Sequence, residues 1–135
     1  MKMETPQTLD WVRERNACSL RAVFYSLKQD VQEDARKRNE QLPAGNYYRL
    51  DFSSHETAFT VITKSNDRPK SIVFRLKDKV ISVEDGHGTI IFEAGIALND
   101  QGRCFLQVDG KECESWQVRR KALEELFFRT FVDLP

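Results

Sequence analysis

The spacing of apolar residues changes period twice along the chain. A helical pattern runs up to Leu42-Pro43-Ala44-Gly45-Asn46, two-residue alternation follows to about Cys113, and a helical pattern returns at Ser115. The implied order is helix, antiparallel strands, helix. In the first block, Thr8 is placed to cap a short helix carrying Leu9, Trp11 and Val12 and ending near Asn16. Ser19 is placed to cap a long helix with its stripe at Leu20, Val23, Phe24, Leu27 and Val31. From Gln32 to Gln41 only Ala35 is apolar. Glu33 with Lys37 and Asp34 with Arg38 form acid-before-base i, i+4 pairs there, so the last two turns are expected to project into solvent. Leu42-Pro43 and Gly45 then stop the helix, because a residue before proline disfavours helical backbone and glycine accepts a left-handed turn.

Seven strands are expected between 46 and 114. Alternating apolar positions are Tyr48, Leu50 and Phe52; Phe59 and Val61; Ile72, Phe74 and Leu76; Ile81 and Val83; Ile90, Phe92, Ala94, Ile96 and Leu98; and Cys104, Leu106 and Val108. Gly95 marks a bulge or bend in the fifth. The connectors are short and rich in turn formers, which predicts consecutive hairpins, since a parallel crossover needs a dozen residues or more. Ser115 can cap the last helix, whose apolar positions are Trp116, Leu123, Leu126, Phe127, Thr130 and Phe131. Packing that helix on the sheet would contribute on the order of 10 kcal/mol before entropy is subtracted.

The expected fold is α+β in a single domain: 1–7 loose, 8–41 helical, 46–114 an antiparallel sheet of five to seven strands, 115–132 helical. The alternative is a two-sheet roll capped by the C-terminal helix. Seven strands followed by a helix bearing Trp116 is the element order of a pleckstrin-homology-like roll, and Lys64 with Arg75-Leu76-Lys77 resembles that family's phosphoinositide signature. The resemblance covers Asn46 to Val132. It leaves the N-terminal helix as an addition and sets the basic residues on a different hairpin.

Composition narrows the class. With 135 residues, 40% hydrophobic and 31% charged, the chain has globular proportions. Lys plus Arg and Asp plus Glu both number 21, so no global field drives it onto nucleic acid or an anionic membrane, and a nucleic-acid partner is not expected. No apolar run approaches a membrane span, and Met1-Lys2-Met3-Glu4-Thr5-Pro6 has no export-type apolar region, so a cytoplasmic location is expected. Cys18, Cys104 and Cys113 lack CxxC spacing and fit reduced thiols, with Cys104 pointing into the core alongside Leu106 and Val108.

Candidate chemistry is sparse. His55 lies in Ser53-Ser54-His55-Glu56 and His87 in Glu84-Asp85-Gly86-His87-Gly88, both in turns; a catalytic triad in the first or a weak metal site in the second competes with a plain polar hairpin tip. A zinc site from the three cysteines and one histidine is likewise disfavoured, because Cys104 shares the parity of Leu106 and Val108. Neither the carboxylates of the helices nor any Gly-rich motif has the setting of a catalytic or phosphate site. No catalytic residue, metal or cofactor is therefore expected.

Two local anomalies remain. Lys64, Arg68, Lys70, Arg75, Lys77 and Lys79 face only Asp67 and Asp78, which makes them a candidate anion site or a lysine-protected sheet edge. Tyr47, Ile91 and Phe105 have the parity of the solvent face, so that face should be partly covered, by the N-terminal helix, a second sheet or another subunit, and the three are candidate interface residues. The leading functional reading is a non-catalytic binding or assembly module, self-associating or docking on a protein partner. An anion- or nucleic-acid-binding module using the 64–79 hairpin comes second. A small-ligand or enzymatic protein with a pocket between sheet and helices, near Tyr47, His55 or His87, comes third.

Overall fold

In the computed structural model, residues 9–43, 49–63 and 69–129 are described. Thr8, Gly45, Tyr47, Tyr48, Lys64, Arg68, Thr130 and Phe131 lie outside them, as does the N-terminal segment expected to be loose. Three helices and seven strands follow in chain order: α1 (Trp11–Ala17), α2 (Leu20–Glu40), β1 (Leu50–Ser54), β2 (Ala58–Thr63), β3 (Ser71–Leu76), β4 (Ile81–Asp85), β5 (Ile90–Leu98), β6 (Cys104–Val108), β7 (Lys111–Cys113) and α3 (Ser115–Glu124). A π-helical turn, Glu125–Arg129, continues α3.

The strands form one antiparallel sheet in the order β1-β2-β3-β4-β5-β6-β7. Every connection is therefore a hairpin, as the short connectors require. The tightest is Asp109-Gly110, where φ of 53° and 77° makes the doubly left-handed turn that matches strand twist. β5 serves two neighbours: Ile90 to Ala94 pair with β4, and Gly95 to Leu98 pair with β6. Gly95 thus sits at the handover and not at a bulge: the register shift lies earlier in β5, where Val83 pairs with Phe92 and Glu84 with Ile90, leaving Ile91 as the extra residue. Among the described residues β1 pairs only with β2 and β7 only with β6.

One sheet face carries the core. Cross-strand pairs Phe52–Val61, Phe59–Phe74, Phe74–Val83 and Val83–Phe92 set apolar side chains in a row across β1 to β5. The stripe of α2 lies on this row: Phe24, Leu27, Val31 and Ala35 are buried. The rings of Phe24 and Phe59 are 5.2 Å apart, and those of Phe59 and Phe74 are stacked at 4.7 Å. Ser19 caps α2 as expected, accepting from Ala22 N at 3.1 Å. For α1 the cap is Asp10, which accepts from Arg13 N at 3.0 Å.

The second half of α2 does not project into solvent. Asn39 donates to Leu50 O at 2.9 Å and accepts from Leu50 N at 2.7 Å, sealing the helix end against β1. Arg38 Nε donates to Phe127 O at 3.1 Å, and Arg119 grips both carboxylate oxygens of Asp34 at 2.7 and 2.8 Å. Polar side chains dock these turns, which an apolar period cannot reveal. The hydrogen bonds of these turns reach further partners: Asp34 holds Arg119, and Arg36 bonds Glu33 and Glu40.

In α3, Val118, Ala122 and Leu123 are buried, and Leu126 and Phe127 of the π turn join them. Ser115 is the first helical residue rather than the cap; Glu114 takes that position, its N–H bonding Gln117 Oε1 at 2.8 Å. Trp116 is half exposed rather than packed on the sheet.

The docking of α2 gives a direct test. Asn39→Ala removes two bonds to a buried strand end and should destabilise the protein by roughly 1–3 kcal/mol. Arg36→Ala, whose pairs are solvent-exposed, should change stability by about 0.5 kcal/mol or less. Urea unfolding of both variants measures the difference.

Candidate functional site

The expected anion site is split along β3. Arg75 sits opposite Ala58 and Ser82, whereas Lys70 lies beyond the other end of the strand, where its backbone N–H bonds Thr63 Oγ1 at 3.1 Å. Five residues of strand separate them, ~17 Å of rise. Arg75 and Lys77 are engaged: Arg75 Nε lies 3.3 Å from Glu84 Oε1 and Lys77 Nζ 3.7 Å from Glu84 Oε2. Ser82 Oγ donates to the same carboxylate at 3.0 Å. Glu84 is only 6% exposed although it points away from the helices, because β4 is the middle strand and its neighbours' side chains close over it. A buried carboxylate requires partners, so these two cations complete the sheet's outer face. Lys79, in the next turn, lines a depression shared with Asp78, Glu93 and Asp109, which are all acidic.

The interface candidates are also separated. Ile91 is 49% exposed near the start of β5, while Phe105 is half-buried on β6 opposite Ala97. Six steps along β5 separate those positions, about 20 Å.

Both histidines are exposed in turns. Asp85 Oδ1 accepts from His87 N at 2.8 Å and Thr89 N at 3.0 Å, bonds that hold its carboxyl below the usual carboxylate range. It closes its own hairpin tip. Among the described residues no three potential metal ligands gather.

The cysteines depart from expectation. Cys104 has the inward parity predicted, yet it forms a disulfide with Cys18 across 86 residues of chain, with a Cα–Cα distance of 5.4 Å. The prediction of three reduced thiols is corrected accordingly; only Cys113 is free. Spacing along a chain carries no information on such a pair. A surface cavity of about 580 Å³ between α2 and β6–β7 is lined by Val23, Leu27, Cys104, Phe105, Leu106 and Cys113, and no histidine reaches it.

The feature that sequence reasoning missed is a groove of about 370 Å³ between the C-terminal half of α2 and α3. Leu123 and Phe127 form its floor, and Trp116 and Phe128, 50% and 46% exposed, both line it. The π turn lets consecutive residues serve both purposes, with Phe127 facing the core and Phe128 the groove. The Arg38 guanidinium lies 4.4 Å from the Phe128 ring centre, a cation–π contact. Lys37, Arg119, Arg120, Asp34 and Glu124 surround the apolar strip, with Arg120 bonding Glu124 at 2.5 Å. Trp and Arg around a small apolar floor are typical of protein-binding surfaces. A second exposed tryptophan, Trp11, lies on α1.

No family model, no curated protein and no solved structure matches this chain. No helix among the described residues is long and apolar enough to cross a membrane.

The pairing of Glu84 is testable. Arg75→Ala leaves a buried carboxylate with fewer partners and should cost about 1–2 kcal/mol in urea unfolding, after allowance for the partial exposure of the arginine. Lys79→Ala should fall within about 0.5 kcal/mol of the parent.

Proposed function

We propose that this chain is a non-catalytic assembly module that associates with a second copy of itself through the α2–α3 groove. The observation that carries the reading is the exposure of Trp116 and Phe128 at the two ends of one apolar groove. Twelve residues of helix separate them, ~18 Å. A two-fold axis perpendicular to α3 would lay Trp116 of each copy against Phe128 of the other, which is the self-complementarity that a closed dimer demands. Burying roughly 100 Å² more of each of four rings would contribute about 10 kcal/mol, comparable with the cost of association. The surround also suits a second copy, since both charge signs are fixed in it and the formal net charge of the chain is zero.

The anion-binding reading is weakened by the use of Arg75 and Lys77 on Glu84. A cytoplasmic setting is retained within the proposal, and its reducing conditions would tend to open the Cys18–Cys104 bridge.

At ~100 μM the protein should sediment as a dimer, because an interface of ordinary size holds at that concentration. Trp116→Glu and Phe128→Glu should each yield a monomer with a near-parental melting temperature. A monomeric wild-type protein would refute the proposal. Dissociation by Ile91→Glu but not by Trp116→Glu would place the interface on the outer sheet face.

A further inference from the structure

We infer that the Cys18–Cys104 bridge is a redox latch that holds α1 on the sheet and releases it without unfolding the rest of the domain. The division of labour along the first helices supports this. α1 has seven residues and buries none of them. Its described attachments are few. Glu14 Oε2 accepts from Cys104 N at 3.0 Å, and the Leu9 side chain lies against Gly102, where an added Cβ would meet Leu9 Cδ2 at 3.4 Å. The disulfide is the remaining tie.

A helix this short does not persist in water unaided, so α1 depends on being held. The chain beyond the bridge does not. α2 begins with its own cap at Ser19 and is fixed by Phe24, Leu27, Val31 and Ala35, none of which involves Cys18. Opening the bond therefore separates a segment with no core from one with a complete core. The closed latch also holds Trp11 and Val12, 69% and 49% exposed, in a fixed position on the surface.

The two residues differ in exposure. Cys18 is 8% exposed, whereas Cys104 is half-buried and lines the cavity between α2 and β6–β7. A dithiol reductant entering there would attack Cys104 Sγ as a thiolate, breaking the S–S bond, forming a mixed disulfide and expelling Cys18 as a thiolate that takes up a proton. The second thiol of the reductant then attacks the mixed disulfide, releasing Cys104 as a thiol. The reductant leaves as its own disulfide, and two electrons and two protons have passed to Cys18 and Cys104.

Arg13 and Arg15 place tryptic sites within α1. In a Cys113→Ser background, which removes the free thiol, the air-oxidised full chain should show no reactive thiol under denaturing conditions and should resist cleavage after Arg13 and Arg15. With dithiothreitol, cleavage there should accelerate at least tenfold. Hydrogen exchange over 9–17 should become unprotected while β2 to β4 keep their protection. Cys18→Ser should behave as the reduced protein with or without dithiothreitol. Two reactive thiols in the oxidised sample, equal protection of α1 in both states, or loss of sheet protection in the same step would each overturn the inference.

Discussion

The contact on which the rest of the structure depends is the ring column Phe24–Phe59–Phe74, which joins the middle of α2 to the two strands β2 and β3. All three rings are fully buried, and each Phe is worth roughly 2–3 kcal/mol of transfer free energy before packing is counted. Fixing this column sets the helix across the sheet. Val31 and Ala35 must then fall inward further along α2, Asn39 arrives at the start of β1, and Asp34 faces α3. The position of α3, and hence of the groove, follows from the same placement: Arg119 clamps Asp34, and Arg38 bonds the carbonyl of Phe127.

The two sides of the sheet solve different problems. The helix side is apolar and is closed by α2, α3 and the π turn. On the other side Ser82 and Glu84 of β4 are buried, so the carboxylate needs the cations of β3. A cluster that reads as surplus charge along the chain is thus partly internal to the sheet. Two exposed aromatic rings, Trp116 and Phe128, line the α2–α3 groove, and the proposed self-association rests on them.

Strand order and facing were legible because alternation states which side each residue takes, and short turn-rich connectors leave hairpins as the only economical topology. Residues acting through polar or long-range partners were not legible. Asn39 and Arg38 look like solvated helix positions until β1 and the π turn come beside them. The partner of Arg75 could have been found by counting: the pairing Leu76–Ile81 puts Ser82 opposite Arg75 and Glu84 two residues on. Phe128 was hidden because a π turn breaks the 3.6-residue period on which the reading relied. Cys18 and Cys104 meet only because α1 and α2 join beside the start of β6.

The central claim is that α2, along its whole length, and strands β2 to β4 form one cooperative unit built on the phenylalanine column. Native-state hydrogen exchange across a denaturant series measures this directly. Amides of Phe24 to Arg38 and of β2 to β4 should be the slowest in the molecule and should converge on a single opening free energy equal to that of global unfolding. If residues 32–40 opened at markedly lower free energy than the strands, the second half of α2 would not be docked as described, and the account would be contradicted.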